Sequence, residues 1–194
     1  MKRVRVIKLG GSLLTMPNLK QKFQKWCREN PHPLTLIIVG GGSVVDAVRQ
    51  VHQANPLSER FAHWVCIDLL QHTARIAHEI LGNVDLYETI DDLQQPFSGS
   101  KVNSPTPIIA IVQVGICFAR EYPNLGLPDS WDVTSDSLAA AFCQMYAAEE
   151  LVVMKSSDGS NPGLPAGLRL VDPYFADLAE DIDQVRFVNL RAFK

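Results

Sequence analysis

Residues 3–43 read RVRVIKLGGSLLTMPNLKQKFQKWCRENPHPLTLIIVGGGS, and the order of patterns inside this stretch decides the fold. Arg3 to Leu9 alternates charge with Val4, Val6 and the apolar Leu9 and then meets Gly10-Gly11-Ser12, whereas Leu34 to Val39 is an apolar run that ends at Gly40-Gly41-Gly42-Ser43. Each predicts a strand running into a glycine loop. Between them, Leu19 to Glu29 places Leu19, Phe23, Trp26 and Cys27 at helical spacing and closes at Asn30-Pro31. Strand, helix, strand is the opening of a parallel sheet.

Outward from this unit, Val44 to Ala54 predicts a helix leaving the second glycine loop. A longer helix is predicted from Ser58 to about Leu81, with Ser58 as N-cap and Gly82 at the C-terminal stop. Its Phe61, Trp64, Val65, Leu69, Ile76 and Ile80 form an apolar stripe that fits either core or a subunit contact. Gln95 to Pro107 predicts a loop, Ile108 to Val114 a buried strand, and Asp129 to Asp136 a polar connection into a helix from Ser137 to Ala148. Glu150 to Met154 predicts a strand entering Lys155-Ser156-Ser157-Asp158-Gly159. A turn-rich stretch to Gly167, a short helix at Phe175 to Ala179 and a last strand at Val185 to Val188 complete the chain.

The 194 residues are 46% hydrophobic and 20% charged, enough to bury one domain's core. Lys plus Arg number 18 against 21 Asp plus Glu, so the net charge of -3 lacks the unspecific attraction on which nucleic-acid binders rely. Cys27, Cys66, Cys117 and Cys143 form no CxxC pair and have apolar or aromatic neighbours, which predicts buried thiols in a reducing compartment rather than disulfides or a zinc site. Charges in Met1 to Lys8 interrupt any signal-peptide core. The longest uncharged stretch, Val102 to Ala119, contains Pro105, Pro107 and Gln113. Neither export nor a membrane span is expected, and a cytoplasmic protein is.

In an open α/β sheet, ligands bind outside the carboxyl ends of the strands. Gly40, Gly41 and Gly42 before a helix suit a phosphate there, because backbone amides and the helix N-terminus present donors that a side chain would hold away. The alternative is a tight turn with no ligand. The chain has no Gly-Lys dipeptide, which excludes the GxxxxGK[ST] loop, and a GxGxxG pattern begun at Gly40 fails at Val45.

Lys8 lies near the end of a strand inside the sheet, where a buried ammonium needs an anionic partner. Lys155 repeats the arrangement before Asp158-Gly159, and two such lysines at one sheet edge point to a polyphosphate. Asp136 is open to three roles: holding magnesium, orienting Lys8 and Lys155, or capping the helix. Asp46 lies in the first turn after the glycine loop, where a carboxylate is favourable with or without a ligand. His32, His52, His63, His72 and His78 show no metal-ligand spacing, and none follows a strand. Phosphoryl transfer to an acceptor that is already anionic needs charge neutralisation and positioning, but no general base.

Lys8-Leu9-Gly10-Gly11-Ser12, Val39-Gly40-Gly41-Gly42-Ser43, Ser135-Asp136-Ser137-Leu138-Ala139-Ala140 and Lys155 with Asp158-Gly159, in this order, resemble the amino acid kinase family over most of the chain. The resemblance implies an α/β fold, a three-layer αβα sandwich around a mainly parallel central sheet. It implies a kinase acting with ATP and Mg2+, the metal carried on the nucleotide phosphates without a direct protein ligand. By the same resemblance Lys8, Lys155 and Asp136 are catalytic, and Gly10, Gly11, Ser12, Asp158 and Gly159 hold the nucleotide. Gly40, Gly41, Gly42 and Ser43 with Asp46, Asp132, Thr134 and Ser135 would hold the acceptor.

The chain then reads as one domain, 1–194, with 1–130 mainly on the acceptor side and 131–194 on the nucleotide side. The latter is shortened, since 35 residues follow Gly159. A homodimer is implied as well. Trp131-Asp132-Val133-Thr134-Ser135-Asp136-Ser137, with Val188-Asn189-Leu190-Arg191, resembles a small branch acting on aminomethylfuran phosphate in methanofuran synthesis, which converts a phosphate monoester to a diphosphate. Val39 and Asp46 stand where isopentenyl phosphate kinases usually carry His, which disfavours an isoprenoid acceptor. A carboxylate or nucleoside monophosphate acceptor, or a protein that binds a phosphometabolite without turnover, are the alternatives.

Overall fold

A computed structural model describes residues 3–98, 106–116, 127–158 and 170–194. Strands β1 (Val4–Leu9) and β2 (Leu34–Val39) flank helix α1 (Leu19–Glu29), with the boundaries that the glycines and Asn30-Pro31 predict. Then come α2 (Ser43–Ala54), α3 (Glu59–Leu81), β3 (Asp85–Tyr87), α4 (Ile90–Gln94), β4 (Ile108–Val112), α5 (Ser135–Met145), β5 (Glu150–Lys155), α6 (Phe175–Ala179) and β6 (Gln184–Asn189). The six strands form one sheet in the order β3-β4-β2-β1-β5-β6, and every neighbouring pair is parallel.

Alternation along the strands builds two cores. Val4, Val6, Leu34, Leu36 and Ile38 face Leu138, Ala139 and Phe142 of α5, whereas Ile7, Leu9, Ile37 and Val39 face Leu19, Phe23 and Trp26 of α1. Burial on both faces is why β2 reads as an apolar run instead of an alternating one. The result is the αβα sandwich that the motifs imply.

The structure corrects several boundaries. α5 begins at Ser135, not Ser137, because the Thr134 hydroxyl accepts from the Asp136 amide and makes Thr134 the N-cap. Asp136 therefore sits in the first turn. β4 ends at Val112, and a 3-10 turn, Val114–Ile116, takes the rest of the predicted strand. β3 and α4 have three and five residues, too few for a periodic signal, although Thr89 and Asp92 form a reciprocal capping box.

Of the stripe expected on α3, Trp64, Leu69 and Ile80 pack half-buried against the cores, beside the fully buried face. That face consists of Ala62, His63, Ile67, Leu70, Thr73, Ala74, Ala77 and Leu81, while Phe61 and Ile76 are exposed. Ile67 and Leu70 join one core and Ala74, Ala77 and Leu81 the other. A helix packed this closely selects small residues, which bulk hydrophobicity underrates.

Cys143 is buried, but Cys27 and Cys66 are only half-buried, against the expectation of full burial, and all three are free thiols. Cys117, Gly159 and most of the two predicted loops lie outside the described residues. Among the described residues no helix is long and apolar enough to cross a membrane.

Candidate active site

From β1 the chain builds β2, β4 and β3 on one side, and later β5 and β6 on the other, so the direction of winding reverses beside β1. The carboxyl ends of β1, β2 and β5 meet there, and this is where open α/β sheets hold ligands. Lys8 lies in register with Ile38 of β2 and Val153 of β5, and Lys155 is the last residue of β5.

Both glycine loops are bonded to the strand ends. The Gly40 amide donates to Leu9 O at 2.8 Å and the Gly10 amide to Met154 O at 2.9 Å. The loops also press on each other: a Cβ on Gly11 would lie 2.1 Å from Gly42 N and 2.5 Å from Gly40 O. Gly42 has a φ of 53°, which side chains rarely adopt. Glycine is thus required here by the contact between the loops, independently of any ligand.

The three charged residues expected at this edge converge. Asp136 Oδ1 lies 2.8 Å from Lys8 Nζ, and Asp136 Oδ2 accepts from Lys155 Nζ at 2.8 Å. Lys8 and Asp136 are buried, and the Lys155 side chain is 15% exposed. Burial pushes the Asp136 carboxyl up, but the ammonium groups of Lys8 and Lys155 more than offset it and hold it below the ordinary range. Burial, reinforced by repulsion from Lys8 and opposed by Asp136, lowers Lys155 to about 8. Two ammonium groups against one carboxylate leave an excess positive charge, which an anion would neutralise.

A residue that sequence reasoning missed holds this arrangement. The Asp172 carboxylate accepts from the Thr134 amide at 3.1 Å and hydroxyl at 2.6 Å, from the Ser137 amide at 3.1 Å, and from the Ser137 hydroxyl. It occupies the amides at the head of α5 from 35 or more positions away in the chain, and nothing local in the sequence signals it.

A cavity of about 240 Å³ opens beside Lys8. Gly11, Gly40, Gly41, Gly42, Asp46, Thr134, Ser135 and Asp136 line it, which brings Gly11, expected to hold the nucleotide, together with residues expected to hold the acceptor. Arg49 and Trp131 form part of its wall, and Arg49 was not anticipated as a site residue. Its signal was only its position one turn after Asp46, with which it pairs at 2.6 Å. The Arg49 guanidinium carbon lies 5.8 Å from the centre of the Trp131 ring. His63, another wall residue, has Nδ1 3.1 Å from Ser130 O.

Six expected residues among the described ones do not line this cavity: Gly10, Ser12, Ser43, Asp132, Lys155 and Asp158. Asp132 is exposed. The Ser12 hydroxyl meets that of Ser156 at 2.9 Å, and Asp158 accepts from Asn189 Nδ2 at 2.9 Å, both beyond the ends of β1 and β5.

A sequence profile of the amino acid kinase family matches residues 3–159. The chain is 25% identical over 193 residues, 97% of its own length and 83% of the relative's, to [5-(aminomethyl)furan-3-yl]methyl phosphate kinase of Methanocaldococcus jannaschii. Among solved structures, uridylate kinase of Archaeoglobus fulgidus superposes with a TM-score of 0.62 at 15% identity, covering 97% of this chain and 90% of that one. UMP kinase of Bacillus anthracis superposes with a TM-score of 0.64 at 14% identity, covering 97% and 88%. With paired glycine loops and two lysines sharing a carboxylate at the switch point of a parallel sheet, and a profile match over most of its length, the chain belongs to the amino acid kinase family and is an ATP-dependent phosphotransferase.

Proposed function

We propose that this protein transfers the terminal phosphoryl group of MgATP to a small phosphate monoester, an aminomethylfuran phosphate or a close analogue. The observation that carries the reading is the Lys8-Asp136-Lys155 cluster, with its excess positive charge beside a glycine-lined cavity. A triphosphate facing a second phosphate is self-repelling, so cations must lie between the two. Lys8 and Lys155 would supply them, with the amides around Gly11 and Gly40 to Gly42 cradling the phosphates.

In this reading an oxygen of the acceptor phosphate attacks the terminal phosphorus. The bond from that phosphorus to the bridging oxygen breaks, ADP leaves, and the acceptor becomes a diphosphate. The attacking oxygen is already anionic, so no base is required. Both Asp136 oxygens face lysines. Magnesium would accordingly enter on the nucleotide phosphates, where it supplies charge neutralisation.

Gly10, Ser12, Asp158 and Gly159 fall to the nucleotide side, and residues 131–194 would contribute most of it. Asp46, Arg49 and Trp131 fall to the acceptor side with Thr134 and Ser135. Arg49 would meet the acceptor's phosphate and Asp46 its ammonium, in place of the ion pair they now make with each other. Ser43, the first residue of α2, and Asp132, in the connection before α5, do not line the cavity and would act through the segments that carry them. A homodimer packed through α3 would cover Phe61 and Ile76, which light scattering can check.

The test is turnover of MgATP with aminomethylfuran phosphate, UMP and aspartate in parallel, in the wild type and in Lys8→Ala. Turnover with the furan phosphate that falls by about 10²- to 10³-fold in Lys8→Ala, in line with the loss of one preorganised donor, supports the proposal. Turnover with UMP or aspartate instead moves the acceptor to another class. Full turnover in the variant would remove Lys8 from the chemistry.

A further inference from the structure

One buried imidazole on the wall of the cavity takes no part in the chemistry proposed above. His63 stands in the first turns of α3 and is 8% exposed. Its Nδ1 lies 3.1 Å from Ser130 O, in the connection that also carries Trp131 and Thr134. A carbonyl oxygen can only accept, so Nδ1 carries the proton of that bond. Nε2 is left over. It has no hydrogen-bond partner among the described residues, yet it is not one of the unpartnered polar atoms sealed from solvent. Because the His63 ring lines the cavity, Nε2 is its open pole there. A residue that only tied α3 to the connection would need one nitrogen, and the second remains to be explained.

The charges on the wall decide what Nε2 offers. Among the described residues two carboxylates line the cavity, and both are engaged, Asp136 by Lys8 and Lys155 and Asp46 by Arg49. His32, by contrast, has Glu149 Oε1 3.0 Å from its Nε2. With no free carboxylate to hold a second proton on His63, the neutral ring is the form that fits. Its Nε2 then presents a lone pair to the cavity.

The wall around this lone pair is largely apolar. Val45 of α2, Leu70 further along the buried face of α3, and Val133 are all buried and all line the cavity, with Trp131 beside them. Inorganic phosphate would use none of this surface, whereas an acceptor with an apolar body would. One acceptor atom set among apolar side chains discriminates sharply, because an isostere that lacks the matching donor leaves it unpaired.

We propose that His63 is a specificity-determining residue for the acceptor: its Nε2 accepts a hydrogen bond from an N–H of the acceptor's amine and so selects phosphate monoesters that carry one. The inference rests on the acceptor class proposed above and deepens it. Asp46 would supply charge from an exposed helix surface, where water competes, and His63 supplies direction from a buried position. An ammonium has three donors, so it can serve both.

The test compares aminomethylfuran phosphate with the analogue that carries methyl in place of aminomethyl. Each is assayed with MgATP at about pH 8, above the range in which imidazoles ordinarily titrate. The preference for the amine, as a ratio of kcat/KM values, should shrink by about 10- to 100-fold in His63→Leu, the weight of one hydrogen bond to a charged group. His63→Gln, which returns an acceptor oxygen to the wall, should recover part of it. The loss should fall on KM for the amine, whereas a merely structural role would depress both acceptors alike. Nitrogen-15 histidine spectra of the wild type keep the proposal testable if the variants fail to fold. The amine should move the Nε2 resonance of His63 while Nδ1 stays protonated, and the methyl analogue should not. An unchanged preference in His63→Leu, a doubly protonated ring in the free protein at that pH, or equal Nε2 shifts with both phosphates would overturn the role of His63 alone. Turnover of neither phosphate by the wild type would overturn the acceptor class, and this inference with it.

Discussion

Asp172 accepts a 2.6 Å hydrogen bond from Thr134, and through it the segment between β5 and α6 fixes the turn from which Asp136 reaches the two lysines. Removing that carboxylate leaves the Thr134 and Ser137 amides without their acceptor. Asp172→Ala should lower stability by about 1–2 kcal/mol, the usual cost of a lost helix cap, measured by urea unfolding. Turnover should fall as well, because the first turn of α5 carries Asp136. Asp172→Asn, which keeps a carbonyl oxygen, should recover part of both.

Asp136 separates two buried ammonium groups, so removing its charge should cost more than removing a surface ion pair. Asp136→Asn should destabilise the unliganded protein by about 3–5 kcal/mol, the range for breaking a buried pair by deleting one partner. If a polyphosphate is the intended anion between the lysines, MgATP should recover much of that loss in a thermal shift assay. Equal shifts in wild type and variant would separate the cluster from nucleotide binding.

The lowered Lys155 sets a pH dependence whose sign can be worked out. Its ordinary value is 10.5, and in the fold it is about 8. Between these values the unfolded chain holds a proton that the folded protein has lost. Stability of the unliganded protein should therefore rise with pH across this window, and the cost of the buried ammonium is fully present below it. A bound phosphate would restore the higher value, so MgATP binding just above pH 8 should take up protons. Calorimetric heats compared in two buffers of different ionisation enthalpy measure this uptake. It should vanish in Lys155→Met.

Contact between the glycine loops gives a prediction that needs no ligand. Gly11→Ala would place a methyl group 2.1 Å from Gly42 N, and backbone on that side cannot turn away as a side chain would. Destabilisation of about 1–3 kcal/mol is expected from overpacking of this kind, together with loss of turnover. Gly82→Ala, at the end of α3, should lose stability through its φ of 54° while leaving turnover intact.

What was legible in the sequence follows from how locally each feature is encoded. α1 and β2 could be bounded to the residue, and β1 at its carboxyl end, because glycines, prolines and periodicity all act within a few positions. Lys8 and Lys155 stood out because an ammonium in a strand buried on both faces contradicts its surroundings. Asp172 could not be found this way, because its partners lie 35 and 38 positions away and its neighbours resemble any turn. The fully buried face of α3 was not singled out for a related reason. Close packing there favours Ala62, Ala74 and Ala77, which carry almost no hydrophobic signal of their own.

The lysines and the wall facing them are built from unlike material. Lys8 rises from a strand buried throughout, whereas the Asp46 and Arg49 side chains lie on a helix surface, 57% and 46% exposed. Inherited change meets unequal resistance in these two halves. A substitution at the lysines disturbs a packed sheet, but one at Asp46 or Arg49 falls where most replacements alter stability by no more than about 0.5 kcal/mol. If Asp46 and Arg49 hold the acceptor and the lysines move the phosphoryl group, as proposed, descendants of such a chain can exchange one acceptor for another by drift along a single helix face while the lysine apparatus passes on unaltered.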